Sequence, residues 1–156
     1  MIYKQTLELK SITEDGIIEG YASVFNTLDE NGDVVANNAF SEAVKQFQQG
    51  KAPKLLWQHD INQPIGIIEH LEEDDYGLLV KAKLMLDIPK AKEAYFMLKN
   101  RIIDGFSIGY RIRDHHMENG HNYLTDIDLL EISIVTFPAC PEAKVNNVKS
   151  LKKTIY

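Results

Sequence analysis

Three stretches of the chain each set one reactive side chain inside an otherwise apolar run. His59 stands in Leu55-Leu56-Trp57-Gln58-His59-Asp60, Ser107 in Gly105-Phe106-Ser107-Ile108-Gly109-Tyr110, and Glu131 in Leu129-Leu130-Glu131-Ile132-Ser133-Ile134-Val135. A hydroxyl, an imidazole and a carboxylate are the parts of a serine nucleophile, its general base and an acid that orients the base. Such groups have to meet in space, not in sequence, so their wide separation along the chain is no obstacle.

Each residue also has a purely structural reading. Period-two alternation puts Phe106, Ile108, Tyr110 and Ile112 on one face of a strand and Gly105, Ser107, Gly109 and Arg111 on the other. Glycine in a strand often marks close approach of another backbone or a ligand, so Gly105 and Gly109 are candidate substrate contacts. The alternative is a small polar residue on an exposed face, with glycines easing curvature. Glu131 has apolar neighbours on both faces, and burying an unpaired carboxylate costs several kcal/mol, so it requires a cation or several donors. His59 would serve; so would Arg101, Arg111 or Arg113 in a structural ion pair. His59 follows a strand-like run and, with an ordinary pKa of about 6.5, suits proton transfer near neutrality. Asp60 beside it reads as a local backbone cap.

The surrounding pattern supplies the elements that must hold these groups. Ile17 to Phe25 reads as a strand running into a polar loop, Asn26 to Asp33. Phe40, Ala43, Val44 and Phe47 then recur at helical spacing, with Asn37 or Asn38 as cap and Gly50 as stop. Strand-like runs over 54–58, 65–72 and 77–86 follow, separated by turn formers including Asn62, Pro64, Asp74 and Gly77. Asp87 is placed to cap a second helix near Pro89, with Ala91, Ala94, Tyr95, Leu98 and Ile102 as its face. Two long strands, 106–113 and 123–137, flank a polar tip with a turn at Asn119-Gly120. The segment after residue 145 is basic and reads as a tail or linker, leaving 1–145 as one domain.

Other chemistries fit less well. Gly105-Phe106-Ser107-Ile108-Gly109 matches G-x-S-x-G literally, but that motif needs a strand, a sharp turn and a helix, and here alternation continues through Ile112. Asp29 to Asp33 opens like a calcium loop, yet Val34 and Phe40 occupy the positions that need glycine and glutamate. His115, His116, His121 and Glu118 are read as a solvated tip, not a metal site. Cys140 has no obvious base beside it and reads as a packing residue. With 156 residues, 44% of them hydrophobic and 26% charged, the chain suits one domain with a real core. Its net charge of −6 argues against a nucleic-acid partner, and no apolar run is long enough to cross a bilayer. A soluble cytoplasmic protein without metal or cofactor is expected.

Taken together, the motifs resemble the prohead maturation proteases of tailed bacteriophages of the HK97 type. The resemblance runs from about Gly16 to Val145. It includes Gly20-Tyr21-Ala22-Ser23-Val24-Phe25-Asn26, Asp29 to Val35, Ala39-Phe40, Trp57-Gln58-His59-Asp60, Gly105 to Tyr110, and Leu130-Glu131-Ile132-Ser133 with Pro138-Ala139. It departs at Asn37-Asn38, where that family usually has Pro-Gly. The resemblance implies an α+β, β-rich fold related to herpesvirus assemblin: a mostly antiparallel, barrel-like core with flanking helices. It implies a serine endopeptidase with Ser107 as nucleophile and His59 as base, whose third member, here Glu131, varies among related viral proteases. The expected substrates are phage scaffold or the scaffolding segment of the major capsid protein, and the protease itself. Self-association is expected, and the place of action is the assembling prohead in the host bacterial cytoplasm. The competing expectation is a non-catalytic capsid-assembly or scaffold-binding module of the same fold.

Overall fold

The longest strand organises the molecule because it has a partner on both edges. The computed structural model describes residues 15–148. In chain order the elements are β1 (Ile17–Val24), β2 (Asp33–Val35), α1 (Ser41–Gln48), β3 (Lys54–Trp57), β4 (Asp60–Glu73), β5 (Gly77–Leu84), α2 (Pro89–Lys99), β6 (Gly105–Glu118), β7 (His121–Val135) and β8 (Val145–Val148). On one edge of β7 runs β6, antiparallel along nearly its whole length. On the other edge β2 and then β3 pair with it in parallel, at Asn122 to Leu124 and at Glu131 to Ile134. From β3 the sheet continues antiparallel through β4, β5, β1 and β8.

The sheet curls into a half-barrel, and the segment before β8 brings its far end back to β6. Phe106 N–H donates to Ala143 O at 3.1 Å, Val145 N–H to Asp104 O at 2.7 Å, and Tyr21 N–H to Lys144 O at 3.2 Å. The core fills the curl. Leu55, Val80, Ala82, Phe106, Ile132 and Ile134 are fully or almost fully buried there, and both helices add apolar side chains. The β-rich, largely antiparallel expectation holds, with the parallel partners of β7 as the exception.

Several local expectations change. Neither Asn37 nor Asn38 caps α1. Asn38 takes the left-handed conformation, φ +70°, which asparagine tolerates better than most residues. At the helix start Phe40 N–H and the Ser41 hydroxyl donate instead to the Glu73 carboxylate at 3.0 and 3.1 Å. In α2, Ile88 occupies the cap position instead of Asp87, without a side-chain bond, and Pro89 opens the helix. Arg101 turns left-handed at φ +61°, so the helical period does not reach Ile102, which is 60% exposed, and Ile103 is buried in its place. Asn62 and Pro64 lie within β4. Pro64 sits where the β3–β4 register shifts, a position that spares a ladder donor.

The polar tip expected after residue 113 is strand as far as Glu118, closed by Asn119 and Gly120 alone. The His115 ring pairs with the Asn122 side chain, and His116 stacks on Tyr123. The sheet also continues past residue 145. Backbone pairing with β1 carries the sheet through Val148, while 149–156 lie outside the described residues.

Candidate active site

β3, β7 and β6 are neighbours, and each contributes to one constellation. Trp57 pairs with Asp60, so Gln58 and His59 are the two central residues of a tight hairpin turn, with φ +53° and +61°. Two positive φ values mark the primed turn that Asn-Gly normally supplies, and for other residues the left-handed conformation costs about 1–2 kcal/mol each. Contacts to the end of β7 hold it. Gln58 N–H donates to Ile134 O at 2.9 Å. The Gln58 side chain donates to Thr136 Oγ1 at 2.8 Å and accepts Thr136 N–H at 3.2 Å. His59 N–H donates to Ser133 Oγ at 3.0 Å. Asp60 accepts Asn62 N–H at 2.9 Å, the local capping expected of it.

From this turn the His59 ring meets Glu131: Nδ1 lies 2.5 Å from Oε2. The other carboxylate oxygen, Oε1, accepts the Ser133 hydroxyl at 2.7 Å. The Glu131 side chain is 14% exposed and the His59 side chain 43%. Histidine, not arginine, is therefore the partner that Glu131 required, and Arg113 instead approaches Asp126 at 3.7 Å. The hydrogen bond to Glu131 raises the His59 pKa above its ordinary value, against the opposing effect of burial. With Nδ1 engaged by the carboxylate, Nε2 is the nitrogen left to take a proton.

A bulge gives Glu131 its direction. Gly109 pairs with Glu131 and Tyr110 with Leu129, so Leu130 is the extra residue on β7. Leu129 and Ile127 can then face the core together with Ile132 and Ile134, while Glu131 and Ser133 point to the opposite face. Bulges next to active sites commonly re-aim a side chain in this way.

Ser107 pairs with Ser133 across the β6–β7 ladder, which places the two side chains on the same face with Cβ atoms about 4.5–5.5 Å apart. It lies opposite core residue Phe106, as alternation requires, but is only 7% exposed. Residues beyond the β6 edge cover it, and Ser107 lines a small pocket with Ser23, Thr27, Asp29, Ala139 and Cys140. Burial pushes the Cys140 thiol up to about 11, so it is protonated at neutral pH and a poor nucleophile. Among the described residues, no hydrogen bond joins Ser107 to His59. His59 and Glu131 are in direct contact, and Ser107 occupies the adjoining row.

The close approach expected at both glycines occurs, but to the protein's own groups. A Cβ on Gly109 would lie 2.3 Å from Glu131 Oε2, and one on Gly105 2.8 Å from Pro138 Cδ. Their missing side chains make room for the acid and for the turn after β7. Sequence reasoning missed Ser133 and the Gln58–Thr136 clamp. Ser133 had a signal, since residues two apart on a strand share a face with Glu131.

A base–acid pair beside a serine on a curled sheet is the arrangement of a candidate serine hydrolase. The pattern of the caudovirus prohead serine protease family matches residues 5–155, and the chain belongs to that family. It is 31% identical over 142 residues to the prohead protease of Enterobacteria phage HK97, covering 88% of this chain and 62% of that relative. It is 29% identical over 158 residues to the capsid polyprotein of Pseudomonas phage PAJU2, covering 95% of this chain and 22% of that one. The bacteriophage T4 capsid assembly protease has a similar fold, with a TM-score of 0.59 at 13% identity, over 85% of this chain and 93% of that one. The chain thus spans less than two thirds of the HK97 relative's length.

Proposed function

We propose that this protein is a serine endopeptidase of prohead maturation, with Ser107 as nucleophile, His59 as general base and Glu131 as orienting acid. The observation that carries the reading is the His59–Glu131 pair, set on the sheet face that Ser107 shares through its partner Ser133. In the proposed mechanism His59 Nε2 takes the Ser107 proton as Oγ attacks the scissile carbonyl, then returns it to the leaving amine. Glu131 holds the ring by Nδ1 and stabilises the imidazolium. Water then repeats the sequence on the acyl-enzyme. Ser107 and His59 are not hydrogen-bonded, and in this reading their contact forms when substrate binds, as is common for catalytic contacts in unliganded enzymes.

The substrates in this reading are phage scaffold or the scaffolding segment of the major capsid protein, and the protease itself, cleaved inside the assembling prohead in the host cytoplasm. A relative named as a capsid polyprotein, whose chain contains a segment similar to this one, supports coupling between such a domain and capsid protein. An extended substrate would lie beside β6 past Phe106, whose N–H is already taken by Ala143 O, with a side chain in the pocket that Ser107 lines and backbone amides near Gly109 to serve it. The half-barrel supports kinship with the assemblin fold, with the domain running to the end of β8.

Co-expression with the capsid protein tests this reading. The intact protein yields shortened capsid or scaffold chains, and Ser107→Ala yields none. Identical cleavage patterns for the two would overturn the serine mechanism. Cleavage by neither would favour a non-catalytic scaffold-binding module.

A further inference from the structure

Ser133 lies in a closed hydrogen-bond circuit that begins and ends on one residue. His59 N–H donates to Ser133 Oγ at 3.0 Å, Ser133 O–H donates to Glu131 Oε1 at 2.7 Å, and Glu131 Oε2 returns to His59 Nδ1 at 2.5 Å. Ser133 is 0% exposed, so no water competes for its hydroxyl. It has one proton to give, and Glu131 receives it. Its lone pair faces the backbone of a residue held left-handed at φ +61°. The hydroxyl thus has its orientation imposed from both sides, and it tethers the main chain and, through the acid, the ring of the same histidine.

We propose that Ser133 is a positioning residue of this site: its hydroxyl fixes the Glu131 carboxylate against the His59 ring and pins the strained turn that carries the ring. The proposal rests on the protease reading for its kinetic consequence, but not for its geometry. Ser107, its cross-strand partner, is excluded from this role because it lines the pocket. Conversely Ser133 is no candidate nucleophile, since it is 0% exposed and a scissile carbonyl cannot reach it. Without Ser133 the Oε1 side of Glu131 loses its anchor, and the carboxylate can turn away from Nδ1.

Two readouts test this in Ser133→Ala and in Ser133→Cys, which keeps the volume but donates weakly. The first is the His59 titration followed by NMR of histidine-labelled protein in a Ser107→Ala background, where self-cleavage is silent. Expected is a fall of the His59 pKa toward its ordinary value in both variants. A mere loss of polarity, with the pair still in contact, would leave the carboxylate more basic and raise it. An unchanged or raised value overturns the proposal even if the protein proves inactive. The second is cleavage kinetics with Ser107 present. Loss of one hydrogen bond to a charged group corresponds to a fall in kcat of roughly 10- to 100-fold, with KM nearly constant. Wild-type kcat in both folded variants overturns the proposal. Absence of cleavage in the wild type would instead refute the protease reading and leave the titration as the test.

Discussion

The β3–β4 and β6–β7 hairpins close with the same two-residue geometry. Gln58 and His59 stand at φ +53° and +61°, Asn119 and Gly120 at +52° and +79°. The second pair is what such a turn selects, because asparagine and glycine reach the left-handed region readily. It sits at an exposed tip, and a Cβ on Gly120 would meet nothing within 4 Å. The first pair disfavours the same backbone, and bonds to Ser133, Ile134 and Thr136 impose it. One turn is made by its own residues and the other by the sheet. Strained conformations persist where surrounding structure over-determines them, and such places concentrate at functional sites.

The sharpest way to break this contrast is His59→Gly, which gives the β3–β4 turn a residue it prefers. Cleavage of capsid or scaffold substrate is expected to fall by roughly 10⁴-fold or more, because the base is gone although the turn is relaxed. Retained cleavage in a purified, folded variant would mean that the strain supports no chemistry. Gly109→Ala comes next. Its new Cβ would lie 2.3 Å from Glu131 Oε2, so the carboxylate has to leave its place against the ring. A displacement on the scale of 1 Å costs about 10²-fold, readable as kcat/KM with an unchanged circular dichroism spectrum.

Glu131→Gln separates the electrostatic effect from the geometric one. The Glu131 hydrogen bond raises the His59 pKa, and a general base works only when neutral. Wild-type kcat/KM is therefore expected to decline on the acid side from a pH above the ordinary histidine value. In Glu131→Gln that limb moves to lower pH and the plateau falls. Stability runs the other way. A raised folded-state pKa contributes fully below the unfolded value of about 6.5 and is lost as pH rises through the folded value. The Tm difference between wild type and Glu131→Gln is thus expected to be larger at pH 6 than at pH 9. A difference independent of pH would remove the ion pair from the account.

Local chemistry explains which parts were legible in the sequence. His59, Ser107 and Glu131 stood out because each interrupts an apolar run, and the need of Glu131 for a partner followed from burial alone. The identity of that partner did not, since a parallel β3–β7 pairing brings His59 to a residue far along the chain. Ser133 looked ordinary because a serine in a strand gains meaning only from register, here with Ser107 opposite and the His59 backbone above. The same non-locality hid Glu73, which caps α1 from β4, and the continuation of the sheet through Val145–Val148, which depends on backbone pairing to β1. The full length of β6 was hidden because a ribbon exposed on both faces needs no apolar alternation, whereas Asn119-Gly120 announced its turn directly.

The smallest expected effect is the most direct control for the contrast. Gly120→Ala places a Cβ on a left-handed residue in the turn that, among the described residues, has no tether to hold it. The strain has to be taken from folding stability, roughly 1 kcal/mol, measurable as a lower urea midpoint with an unchanged slope. Cleavage kinetics are expected to stay at wild-type values, since β6 and β7 keep their register from Gly105 to Tyr110 through the core contacts of Phe106, Ile132 and Ile134. A loss of activity matching that of Gly109→Ala would show that the distal half of the ribbon sets the geometry of the site. The tethers of Ser133 and Thr136 would then not suffice to hold the strained turn on their own.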